Sequence, residues 1–158
     1  MNQEHISDSP NVIALPPLIY GAALLLGLIL HWVWPLDFLP GMFPLPWFGA
    51  AIVFISIILA ATALKTFAQT KTNVDVRKPA LHVVTNGPYL FTRNPMYLSM
   101  TLLVMGIAVW LNELWFLLAL ILTVLIVRYG VIGREENYLE RKFGEEYIRY
   151  KHSVRRWL

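Results

Sequence analysis

The chain has 158 residues, of which 57% are hydrophobic and only 15% charged. Soluble domains average about 45–50% apolar and about 25% charged, so an ordinary soluble domain is excluded and a polytopic membrane protein is predicted. There are no cysteines, which excludes a disulfide framework, a thiol nucleophile and a thiolate metal site.

Residues 1–11 are polar and lack Lys and Arg, so they do not resemble the basic start of a signal peptide and are expected to be flexible. Residues 12–34 carry no formal charge over 23 positions, and a spanning helix needs about 20. Pro16-Pro17 suits its first turn. His31, beside Trp32 and Trp34, reads as a neutral interfacial side chain and not a ligand. The proline-rich stretch 35–46 is a tight connection. Residues 47–64 are a second uncharged run, closed by Lys65. Residues 65–94 form the long polar connection, with Lys71, Asp75, Arg77, Lys78 and His82, and such loops tend to be functional. Residues 95–111 are a third apolar run, Asn112-Glu113 a turn, and 114–131 a fourth run that pairs with the third as a hairpin.

The cations decide the topology. All 13 Lys and Arg lie in the central loop region or from Arg128 onward. Four spans put both basic regions on one side, which the positive-inside rule makes cytosolic. Trp34, Trp47, Trp110 and Trp115 then form an aromatic belt at the other face. The expected fold is an all-α membrane protein, one domain of four transmembrane helices plus a cytosolic amphipathic helix over 134–151. That helix gathers Leu139, Phe143, Tyr147 and Tyr150 on one face. Gly144 inside it costs ~1 kcal/mol relative to Ala and marks a close approach or a break.

Two clusters carry chemistry. Arg93 precedes Asn94-Pro95 at a helix start, where free N–H groups and a guanidinium suit a carboxylate or phosphate; its plainer role is a snorkelling anchor. Tyr89 and Tyr97 add flat surfaces with polar tips. Glu135-Glu136 is either helix N-terminal charge or a recognition site for a cation. No metal-ligand spacing, phosphate loop, nucleophile elbow or nucleic-acid pattern is present.

The run Gly87-Pro88-Tyr89 … Arg93-Asn94-Pro95-Met96-Tyr97 resembles the G-x-Y…R-H-P-x-Y-x-G signature of the isoprenylcysteine carboxyl methyltransferase and phospholipid methyltransferase superfamily. The tail Glu135-Glu136, Leu139, Phe143-Gly144, Tyr147, Tyr150 and Val154-Arg155-Arg156 is similar to its E-E-x-x-L-x-x-x-F-G-x-x-Y-x-x-Y ending, closed by V-x-R. The likeness spans about residues 65–157. It implies an integral membrane enzyme that takes S-adenosylmethionine from the cytosol, with a lipophilic acceptor entering from the bilayer, in the cytoplasmic membrane, without metal or nucleic acid. It implies that Leu81, His82, Val83, Val84, Tyr89, Asn94, Pro95, Met96, Tyr97 and Glu135 contact the cofactor, and that Arg93, Arg134 and Glu136 position the acceptor. The pattern's histidine is Asn94 here, which cannot take up a proton, so a proton-transfer role at this position is not expected. The acceptor stays open between an isoprenylcysteine carboxylate, a phospholipid amine and a small lipophilic thiol. Two further alternatives are an NADPH-dependent sterol-type reductase and a non-catalytic membrane scaffold.

Overall fold

The computed structural model describes residues 9–40, 45–73 and 75–157. Six α-helices follow in order: α1 (Pro16–Val33), α2 (Leu45–Thr70), α3 (Pro95–Leu111), α4 (Leu114–Val127), α5 (Gly133–Phe143) and α6 (Glu145–Ser153). A 3₁₀ turn, Gly87–Leu90, precedes α3, and a π-turn, Arg128–Ile132, joins α4 to α5. Among the described residues there is no strand, only one isolated bridge between Asp37 and Glu113. Three helices are long and apolar enough to cross a membrane: α1, α2 and the continuous Leu114–Phe143. α3 is equally apolar but has 17 residues.

Apolar composition without a strong helical stripe suits a helix wetted by lipid on one side and by protein on the other. Leu25, Ile29, Phe54, Ile58, Ile121 and Leu125 accordingly face outward. Inward, Tyr20, Val104, Ala108, Phe116, Leu120 and Val127 pack as one core. The helices close on small residues. A Cβ on Gly49 would collide with the backbone of Trp110, and one on Gly106 with Val53, so α2 and α3 cross at near-backbone contact. Gly27 lets the Phe116 ring lie on α1 in the same way.

The ends differ in chemistry. At the hairpin end, Asn112 takes a left-handed conformation (φ 55°). Its amide exchanges hydrogen bonds with the backbone of Leu39 at 2.7 and 3.1 Å. Glu113 is fully buried, accepting the Leu36 N–H at 2.9 Å. His31 Nδ1 stands 3.0 Å from the same carboxylate oxygen. Trp115 donates to the Trp34 carbonyl at 2.6 Å. These bonds strap the connection after α1 to the α3–α4 turn.

At the other end α2 runs on to Thr70, beyond the expected 64, and the expected single helix over 134–151 is two. Gly144 at φ +52° breaks it, a conformation that disfavours any residue with a Cβ. The π-turn was not foreseen: its wider ring shifts the angular register of α5 relative to α4.

The close crossing makes a stability prediction. Gly49→Leu should sharply lower the thermal midpoint of detergent-purified protein, since overpacking costs about 1–3 kcal/mol or more. Gly21→Leu, where a Cβ meets nothing within 4 Å, should stay within about 0.5 kcal/mol of the parent. Equal effects at both positions would contradict the packing described.

Candidate functional site

The end opposite the hairpin holds a cavity of about 420 Å³. Five segments build it: the stretch before α1 with its first residues, the end of α2, the loop after it, the turn and first residues of α3, and α5 with α6. Phe67 of α2 meets the Tyr89 ring edge-on at 5.5 Å. The loop brings His82, Val83 and Val84 to the wall, and the Ala80 N–H donates to the Tyr138 hydroxyl at 3.2 Å. At its exposed rim the Arg77 side chain and N–H hold the Asp75 carboxyl down at about 2. Gly87 needs its positive φ to enter the 3₁₀ turn, and its missing side chain leaves room for Thr66.

The stretch 92–94 is laced to the C-terminal tail. Arg93 N–H donates to the Arg155 carbonyl at 2.9 Å, while Thr92 Oγ1 and Asn94 Nδ2 each donate to the Arg156 carbonyl at 3.0 Å. The Tyr150 hydroxyl donates to the Tyr89 carbonyl at 2.8 Å. α3 then starts at Pro95 with no side-chain cap, so its first N–H groups keep no intrahelical partner.

Two carboxylates enter from α5. Glu135 Oε2 accepts the Tyr97 hydroxyl at 2.7 Å. Burial raises the Glu135 carboxyl above its ordinary range; the Tyr97 bond opposes this and the Glu136 charge adds to it. Glu136 is buried and takes a two-point bond from Arg156, Nε at 3.1 Å and Nη2 at 2.6 Å. Arg93 Nη2 faces the same carboxylate at 3.4 Å. Arg93 is itself nearly buried, and its Nε and Nη1 have no hydrogen-bond partner among the described residues. Burial, with Glu136 in second place, pushes the Tyr147 hydroxyl up, and burial does the same at Tyr150.

Of the residues named from sequence, His82, Val83, Val84, Tyr89, Arg93, Asn94, Met96, Tyr97, Glu135 and Glu136 line this one cavity. Three do not. Leu81 is exposed, Pro95 is buried in the helix start, and Arg134 lies on the far face of α5, donating to the Asn11 carbonyl at 2.8 Å. Sequence reasoning gave Arg156, Phe67, Tyr147 and Tyr150 no site role. Tyr147 and Tyr150 were signalled by their shared face. Arg156 was signalled only as the end of a motif.

The sequence pattern described as phospholipid methyltransferase matches residues 45–146, most of the chain and most of the residues that line the cavity. The chain belongs to the phospholipid methyltransferase family. It is 29% identical over 142 residues to the protein-S-isoprenylcysteine O-methyltransferase B of Arabidopsis thaliana, covering 85% of this chain and 71% of the relative. It is 48% identical over 63 residues, 40% of this chain, to the whole of an uncharacterized protein of Haemophilus influenzae. No solved structure matches it significantly. The family and the plant relative point to a membrane methyltransferase of the phospholipid and isoprenylcysteine type.

The charge cluster of this methyltransferase has a testable energetic consequence. Glu136→Ala leaves Arg93 buried without a counter-charge, and breaking a buried pair in this way costs about 3–5 kcal/mol. Arg156→Ala should cost less, because Arg93 still faces Glu136. Unfolding titrations in detergent check the order, and an Arg156→Ala loss as large as that of Glu136→Ala would contradict it.

Proposed function

We propose that the cavity binds S-adenosylmethionine beside Glu135 and Tyr97, and that its methyl group passes to a carboxylate held by Arg93 on a lipophilic, isoprenylcysteine-like acceptor. Arg93 carries this reading: a nearly buried guanidinium with two unused donors suits an incoming anion. The cavity volume falls in the range of about 300–1,000 Å³ of small-molecule sites. Its donor set suits the cofactor as well: a carboxylate for a cationic ligand, tyrosine faces for a sulfonium, and apolar walls from Phe67, Val83 and Val84. Leu15, Pro16, Pro17 and Met100 extend the lining toward the bundle and offer the acceptor's tail an apolar route.

When bound, S-adenosylmethionine supplies an electrophilic methyl group. The chain supplies position and electrostatics. Tyr97 orients Glu135 toward the cofactor. Asn94, bonded to the Arg156 carbonyl, fixes the start of α3 and moves no proton. Glu136 and Arg156 hold Arg93 in place, and Arg93 aligns the acceptor oxygen. A carboxylate attacks without losing a proton, so the asparagine at position 94 is no obstacle. The relative named above is an O-methyltransferase, in keeping with that acceptor. A phospholipid amine, which the family's description suggests, must first lose a proton, and His82 is the cavity-lining residue that would accept it. With the basic segments placed by the positive-inside rule, the site faces the cytosol.

Calorimetry with S-adenosylhomocysteine should show one saturable site. Glu135→Gln and Tyr97→Phe should each weaken it by about tenfold, the worth of a hydrogen bond to a charged group; unchanged affinity in both would remove this placement. Because burial raises the Glu135 carboxyl, that group is neutral at the acid end and charged above its own pKa. Cofactor affinity should therefore rise with pH through that titration and level off, and Glu135→Gln should flatten the rise. Arg93→Lys should lower kcat/KM for a prenylcysteine acceptor by about 10–100-fold while cofactor affinity stays within about threefold.

A further inference from the structure

α3 is at the short end for a crossing. Its 17 residues rise about 26 Å at 1.5 Å per residue, against a hydrocarbon core of about 30 Å. Its hairpin end is fixed near Trp110, half-exposed among the other tryptophans of that face. Gly49 of α2 lies against the Trp110 backbone, so the two helices are level there. From Gly49 to Thr66 α2 also rises about 26 Å, and Thr66 is the residue on which Gly87 sits. Both helices thus place the 3₁₀ turn just inside the second edge of a core of about 30 Å. Lys65, exposed beside Thr66, marks the same edge.

At that level the turn sorts its side chains. Tyr89 is 6% exposed and Arg93 turns in toward Glu136. Leu90 and Phe91 point out, 61% and 76% exposed. No described residue covers them.

We propose that α3 crosses the bilayer and that the turn Gly87–Leu90, with Phe91, completes the crossing as an apolar wedge docked among acyl chains at the headgroup boundary. The partner is the bilayer itself. The wedge sets the depth of Arg93, two residues on, at the level where the anionic end of a membrane-anchored molecule lies. This inference does not depend on the reaction assigned above.

The chain has no native cysteine, so single spin labels can measure depth in liposome-reconstituted full-length protein. Labels at Phe91→Cys and, separately, Leu90→Cys are compared with Ile58→Cys on the lipid face of α2 and Lys71→Cys beyond its end. Oxygen partitions into the bilayer and a nickel chelate into water. The expected result is an oxygen-to-nickel collision ratio at positions 90 and 91 several-fold above that at 71 and approaching that at 58. A ratio equal to that at 71 would overturn the proposal. So would labels shielded from both probes, which would put protein over the wedge. Either cysteine variant alone gives the answer if the other does not reconstitute.

Discussion

One buried carboxylate governs the site end of the protein. Glu136 sits on α5 out of water, where an ionised group persists only if it is paired and hydrogen-bonded. Arg156 of the tail meets it at two points and Arg93 of the turn before α3 faces it from the other side. Pairing therefore joins three segments far apart in sequence around one charge. The carbonyls of Arg155 and Arg156 add three hydrogen bonds to the stretch 92–94, so the tail is part of the wall. Arg93 is then nearly buried with Nε and Nη1 unused, and the cavity that Glu135 and Tyr97 also line gains a positive point.

The hairpin end also holds a buried carboxylate. Glu113 is buried, tied to the Leu36 N–H and beside His31, and the tryptophans around it face outward. Between the ends the helices cross on Gly27, Gly49 and Gly106, with lipid-facing residues outside. The close crossings leave little freedom for α2 and α3 to slide. In the function proposed above, a lipophilic acceptor would meet a polar cofactor at one end of the bundle while the opposite end stays strapped.

Much of this was legible in the sequence because its causes are local or compositional. Uncharged runs announced the helices, Pro95 the start of α3, and Asn112-Glu113 the turn. The two motifs brought the cavity residues together because Tyr97 and Glu135 bond directly. What stayed hidden depends on three-dimensional register. The π-turn at Arg128–Ile132 changes which residues of α5 face inward, so Arg134 points away although it is adjacent to Glu135. The V-x-R ending marked Arg156 and not Arg155, but only the fold shows that its guanidinium reaches Glu136. Gly144 was visible as an anomaly, but only its positive φ shows that it separates two helices.

Methyl transfer itself tests the account most directly. Protein reconstituted in liposomes, given S-adenosylmethionine labelled in its methyl group, is offered a prenylcysteine with a free carboxylate, the same molecule as an amide, and phosphatidylethanolamine. Label should appear with the free carboxylate alone and should be released as methanol by mild base, as a carboxyl methyl ester requires. Base-stable label on the phospholipid, or equal transfer to the amide, would contradict an anionic acceptor held by Arg93.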